Sequence, residues 1–486
     1  MATDEEISQV LKIVDRLTEE LQSRRREIQT YDEYYRGKHP LKFASEEFAT
    51  RFSDRYKGFA DNWCQVVADA PLERLEPVGI RLPGGDEGDL ELWDVWLENE
   101  ADGLVDLAML DAIIAKRAYA LVWATRDGDP IITWEHPSQA IVAYDPETRQ
   151  RTAGLKLWQD GDTEFATLYL PDSVWKFQRP AMESQNRTKS GIYVSGNWGE
   201  WQPRQPAEDD KWPIDNPLGV VPLVELVNRP RLLGEPLSDI AGTVAMQNAV
   251  NLLWAYMFNA ADFASFPQRI VLGMERPTVP VLDDNGQVVG ERPIDLERFA
   301  IDRVVWLEDP DAKIGEWSAA NLEAYSKIIE VQVGHIAAQT RTPQHYLVGR
   351  MANLSADALK AAETGLVKRT EEKTEHFGRA IREIFRLVAL VQNNPAKARA
   401  IRRSQVLWKD VESRSEAQLV DALIKLKQIG FPFEYLAERY GLTPTEVARV
   451  AEMREAELQS DPVLQAGRML GDMASPSEPA EDAEAE

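Results

Sequence analysis

At 486 residues the chain is long enough for a large core and several subdomains. It carries 81 acidic against 55 basic residues, a formal net charge of −26, which argues against gripping nucleic acid by wholesale phosphate neutralisation. The single cysteine, Cys64, excludes an intrachain disulfide and a cysteine-based zinc site, and reads as a packed small hydrophobe.

The start, MATDEEISQV, has no basic n-region and no apolar h-region, so no secretory signal is expected and the chain reads as soluble and intracellular. Residues 3–36 predict an amphipathic helix opened by a Thr3-x-x-Glu6 capping box, with Ile7, Val10, Leu11, Val14, Leu17 and Leu21 on one face. Arg24, Arg25 and Arg26, on the other face, read as solvated rather than as a nucleic-acid patch. More helical signal runs from Phe59 to Leu75, followed by a Pro/Gly loop at 83–88. Residues 118–228 read as β-rich, because YALVWAT, IITWE, AIVAYD, LKLWQD, ATLYL and VWKFQ are short runs of β-branched and aromatic residues. Turn signals at Asp127-Gly128-Asp129-Pro130, Asp145-Pro146 and Asp160-Gly161 separate them. The polar stretch from Ala181 to Asn216 reads as a long surface excursion.

Residues 236–264 predict a helix without Lys or Arg. Asp239, Gln247, Asn248, Asn251, Asn259 and Asp262 would form a polar stripe beside Ile240, Val244, Leu253 and Met257. The segment 240–258 comes nearest to a membrane span, but its central amides and the lack of flanking Lys/Arg favour a buried or subunit-facing helix. Residues 267–317 return to β character, with QRIVLGM, a hairpin signal at Asp283-Asp284-Asn285-Gly286, and RVVWLED.

The stretch from Asn321 to Val391 is the most informative. A first helical run places Leu322, Tyr325, Ile329 and Ile336 at helical spacing and is stopped by Pro343. The loop 341–354, RTPQHYLVGRMANL, contains Arg341, His345 and Arg350 and no acid. Ser355 reads as the N-cap of a second helix reaching about Val391, roughly 55 Å long at 1.5 Å per residue. A loop held between two rigid arms is an architecture for presenting something, not for enclosing a small molecule. Within the long helix, KRTEEKTEH at 368–376 offers no apolar face and reads as solvated or ion-paired. PAKARAIRRSQVLWK at 395–409 then brings five basic residues and no acid. Helices with turns at Gly430 and Gly441 fill 412–470, and the acidic tail 471–486 is expected to be disordered.

Enzyme signatures are missing. There is no phosphate-binding G-x-x-x-x-G-K-[ST] and no G-x-S-x-G; Asp309-x-Asp311 lacks the rest of a calcium loop. The histidines never fall at i,i+4 around a Glu on one helix. No catalytic residue, metal or cofactor is expected. The alternative reading is a carbohydrate-binding or glycoside-cleaving protein using the aromatic and acidic β region of Trp123, Trp134, Glu135, Trp158 and Trp175, although no carboxylate pair is set by spacing.

Four stretches, YYRGKHPL at 34–41, NWCQVVADAPLERLEPVGIRL at 62–82, NPLGVVPLVELVNRPR at 216–231 and LSADALKAAETGL at 354–366, run in order along nearly the whole chain. Together with the helix–β–helix–loop–long-helix order, they resemble the portal proteins of tailed double-stranded-DNA phages, in the version found in phages of actinobacteria.

The resemblance implies an α+β, predominantly α, portal fold and a ring of twelve subunits at one capsid vertex through which DNA enters and leaves. By that resemblance 1–235 is the wing, 236–264 and 319–340 are the two stem helices, and 265–318 is the clip. Residues 341–354 are the tunnel loop, 355–393 the long wing helix and 394–470 a helical crown. The implied partners are other copies of the chain, the passing double-stranded DNA, the terminase large subunit, a head-tail adaptor, the major capsid protein and a scaffold, with no membrane. The implied places are the portal vertex of the virion and, during assembly, the host cytoplasm. On this chain the DNA-facing loop residues would be Arg341, His345, Tyr346, Leu347, Arg350 and Asn353. Gln247, Asn248 and Asn251 would face a neighbouring subunit, where amides pair without the desolvation cost of charges. The patch of Lys397, Arg399, Arg402 and Arg403 would contact DNA or, in so acidic a protein, form ion pairs between subunits.

Overall fold

The computed structural model describes residues 2–38, 61–85, 87–180, 186–187, 193–195, 198–204, 212–265, 269–272, 278–282, 287–293, 304–307, 311, 321–348, 356–412 and 416–460. The chain divides into two compact units, one of Met1–Tyr35, Val67–Ala241 and Ala356–Glu486, the other of Arg36–Val66 and Gly242–Ser355. The architecture is α+β and predominantly helical, as expected.

In the first unit, helix α1 (Asp4–Tyr35) begins with the expected capping box. The Thr3 N–H donates to Glu6 Oε2 at 2.7 Å and the Glu6 N–H returns to Thr3 Oγ1 at 3.3 Å. Its apolar face (Val10, Val14, Leu17, Leu21) packs on one side of an antiparallel sheet. That sheet contains β4 (Ala140–Tyr144), β5 (Arg151–Asp160), β6 (Thr163–Tyr169) and β7 (Ser173–Pro180) in consecutive order, extended beyond β7 by short strands at 202–203 and 214–215. Strand alternation divides the side chains between two cores. Ile141, Leu155, Leu157, Ala166, Leu168, Trp175 and Phe177 meet α1. Ala140, Val142, Tyr169 and Val174 meet a second sheet of β2 (Arg117–Ala124), β3 (Pro130–Glu135) and the strand Leu223–Val227. Every β run expected between 118 and 178 is therefore a strand. One arginine departs from expectation. Arg25 is buried, donating to the Ser138 carbonyl at 2.9 Å, because α1 lies across the sheet at that point.

Two helices not anticipated from sequence, Leu90–Glu98 and Ala101–Ala115, connect β1 (Pro77–Arg81) to β2. Asp89 caps the first by accepting from the Leu92 N–H, and Glu100, in the left-handed region at φ 51°, breaks the two apart.

In the second unit, the helix expected at 236–264 starts later, at Val244, and runs to Ser265; residues 236–243 are irregular or turns. It packs against the helix Leu322–Thr340, which Asn321 caps through the Glu323 N–H. Between them, Arg269–Leu272 pairs in parallel with Val304–Leu307, and Thr278–Leu282 forms an antiparallel pair with Val288–Pro293. The expected hairpin is present; its turn at 283–286 lies outside the described residues.

The chain returns to the first unit through the long helix Ala356–Val391, which ends where expected; its proposed cap Ser355 lies outside the described residues. Residues 394–409, expected to be helical, are not purely so. After the short helix Pro395–Ile401, residues Gln405–Trp408 form a strand antiparallel to β1, so this part of the chain is tied to the sequence near residue 80. Helices Glu416–Gln428, Phe433–Tyr440 and Pro444–Ser460 follow. Among the described residues no helix is long and apolar enough to cross a membrane.

Candidate nucleic-acid interface and its supports

The candidate loop begins where Leu322–Thr340 stops. Thr340, buried, turns its hydroxyl back to the Ile336 carbonyl at 2.7 Å and lies 3.0 Å from the Thr342 hydroxyl. Arg341 adopts the left-handed conformation at φ 55°, and the Thr342 N–H closes on the Ala337 carbonyl at 3.1 Å. These bonds cap the helix and leave Arg341 exposed. Residues Gln344–Val348 then make a short helical turn, with the His345 and Tyr346 rings 4.9 Å apart and both half-buried. Leu347 is buried at 3% exposure, so it anchors the turn and does not face a DNA path. Arg350 and Asn353 lie outside the described residues.

The amides of the Val244–Ser265 helix have intrachain work. Gln247 accepts from the Trp63 N–H at 2.8 Å, donates to the Asp61 carbonyl and reaches Asn251 Oδ1 at 3.0 Å. The Trp254 indole N–H donates to the Asp61 carboxylate at 3.0 Å. Gln247, Asn248 and Asn251 are all buried within the chain. The expectation that this stripe faces a neighbouring subunit is corrected for Gln247, which binds its own chain's 61–63 segment.

The basic run at 397–409 is dispersed. Lys397 pairs with Asp89 at 2.9 Å and Glu91 at 2.6 Å, and Lys409 pairs with Glu76 at 2.8 Å, all within the chain. Arg399 donates to the Pro395 carbonyl of its own helix at 3.2 Å. Arg402 and Arg403 are exposed. Lys397 and Lys409 are therefore taken up by carboxylates of residues 76–91, while Arg399, Arg402 and Arg403 keep exposed positions.

Sequence reasoning missed a buried charge cluster in the first unit. Asp239 lies 2.6 Å from Arg369 Nη2 and 2.7 Å from Lys373 Nζ, and accepts at 3.0 Å from the Asn228 amide, whose oxygen takes a bond from Lys373. Arg369 also donates to the Val67 carbonyl at 2.9 Å. Burial pushes the Asp239 carboxyl up, but Lys373 and Arg369 outweigh it and hold the group well below the usual carboxylate range. Burial also brings the Lys373 ammonium down to about 8 despite the pull of Asp239. The polar run 368–376 is thus ion-paired and in part buried. The only signal for it in the sequence was that missing apolar face.

The aromatic β region has a cleft of about 480 Å³ lined by Trp123, Trp158, Tyr169, Glu135, Lys156 and Arg204, among others. Glu135 is the one carboxylate among the described lining residues, and it is ion-paired to Lys156. Trp134 and Trp175 are packed elsewhere, against Trp96 and Trp212. A two-carboxylate glycosidase arrangement is not formed by these lining residues.

A profile of the family described as "Phage portal protein, SPP1 Gp6-like" matches residues 14–460. The chain belongs to that family. The portal proteins of Mycobacterium phage L5 and Mycobacterium phage D29 are each 27% identical to it, over 407 and 406 residues, covering 79% of this chain and 74% of each relative. The resemblance to portals of actinobacterial phages agrees with this. Among solved structures, a chain described as "Neck of native GTA particle computed with C12 symmetry" is similar with a TM-score of 0.37 and 12% identity, covering 84% of this chain and 96% of that chain. As a phage portal protein the chain has a structural role.

Proposed function

We propose that this portal protein assembles into a closed ring of twelve subunits at one capsid vertex and is the conduit for DNA packaging and ejection. The family match over residues 14–460 carries the reading. The two packed helices Val244–Ser265 and Leu322–Thr340 would line the tunnel, and the strands between them would be the clip that docks the terminase motor and later the head-tail adaptor. Every neutralised phosphate adds affinity that translocation has to overcome, so an acidic subunit with few basic side chains at the loop guides DNA without holding it. Arg341 would touch phosphate transiently, a reading supported by its exposure at the end of a capped helix. The chain has no phosphate-binding loop motif, so the motor would hydrolyse the nucleotide.

Trimming the hairpin tip between residues 283 and 290 tests the docking role. Rings should form as before and binding of the motor or adaptor should fail; loss of the rings themselves would show that these strands belong to the ring body.

A further inference from the structure

The first unit contains a groove of about 1040 Å³ between the β4–β5 turn, the segment around 219–230 and the long helix. Helical spacing brings His376, Arg379, Ala380 and Glu383 of the long helix to one wall. The two carboxylates among its described lining residues are already neutralised. Glu383 binds Arg151 and Arg386, and Glu225 binds Arg117 at 2.9 Å and accepts from the Tyr119 and Tyr144 hydroxyls at 3.0 Å. Three further arginines in the lining, Arg149, Arg379 and Arg402, are exposed, and among the described residues they make no ion pair.

We propose that this arginine groove receives an acidic surface of a neighbouring copy of the same chain. The inference rests on the ring reading above. Each copy carries a net charge of −26, so adjacent copies repel unless their contact places cations against anions. A ring contact is heterologous, one surface of a subunit meeting a different surface of the next, so an unneutralised arginine groove needs only an acidic counterpart elsewhere on the same chain. Guanidinium is the cation suited to such a contact, because it is weakly hydrated and binds carboxylate in two-pronged fashion. The groove also offers Tyr144, 43% exposed, and Val220 beside the arginines, a mixture typical of protein contacts.

The test is Arg379→Glu combined with Arg402→Glu in the full chain, with oligomers read by native mass spectrometry and folding by circular dichroism. The intact-ring fraction should fall about tenfold at low salt, while the folded signal is kept. As a second measurement on the unaltered protein, phenylglyoxal should modify Arg149, Arg379 and Arg402 in dissociated subunits and spare them in rings. Unchanged rings in the variant, or equal labelling in rings and subunits, would overturn the groove assignment alone. Intact rings with lost binding of short duplex DNA would overturn it in favour of nucleic acid. Absence of rings from the unaltered protein would overturn the ring reading and the groove with it.

Discussion

Asp239 and Lys373 meet at 2.7 Å in the first unit, although the long segment of the second unit, Gly242–Ser355, lies between them in the chain. With Arg369 bound to both Asp239 and the Val67 carbonyl, the cluster gathers the chain near two of its crossings into the second unit. Removing one partner of a buried pair leaves an uncompensated charge, so Asp239→Ala should cost about 3–5 kcal/mol. Urea unfolding of the variant checks this. A loss smaller than about 1 kcal/mol would mean the cluster is solvated in practice.

The same carboxylate gives a pH dependence of defined sign. Its folded pKa lies below the ordinary aspartate value of about 3.9, so its contribution is fully present above that pH and is lost as pH falls through the folded value. Thermal stability should therefore drop below about pH 4, and Asp239→Asn should flatten that limb of the profile. An identical acid limb in the variant would contradict the assignment.

Gln247 should be a folding residue of the second unit. Replacing it by Leu leaves the Trp63 N–H and the Asp61 carbonyl without their partner, at an expected cost of about 1–3 kcal/mol. Hydrogen exchange at the 61–63 backbone amides is the direct readout. Unchanged protection there would show that the amide does not hold this segment.

Close approach makes Gly154 specific. A Cβ there would sit 2.9 Å from Val221 Cγ1 and 3.1 Å from Leu223 Cβ, where the two sheets meet. Gly154→Ala should destabilise by about 1–3 kcal/mol, measured as a lower denaturation midpoint. A neutral result would mean the sheets separate easily at that contact.

Features whose cause is local were legible in the sequence. The Thr3–Glu6 box, the strands of the β region and the end of the long helix at Val391 all depend on residues a few positions apart. The pair of helices between 90 and 115 escaped notice because the second is apolar on most sides, burying Val105, Ala108, Met109, Ala112 and Ile113, and so lacks an amphipathic stripe. The polar stripe at 247–251 was legible as a stripe, but its partner lay nearly two hundred residues away in the 61–63 segment. Of the candidate loop, the helix stop before Pro343 was readable, whereas the burial of Leu347 depends on tertiary packing that no local pattern encodes.

For the loop itself, changing Arg341 and Arg350 together to Glu should leave folding and ring formation intact, since surface substitutions rarely cost more than about 0.5 kcal/mol. The packaged DNA should be shorter than in the unaltered phage, because carboxylates would repel phosphate at the narrow approach. Normal packaged length would remove this loop from the DNA path.

The central claim is that the chain forms a conduit, and electron microscopy of the purified full-length protein tests it most directly. The account predicts closed rings with a central channel and the Leu322–Thr340 helices of successive subunits arranged around it. Particles that remain single globular subunits under conditions of assembly would contradict it.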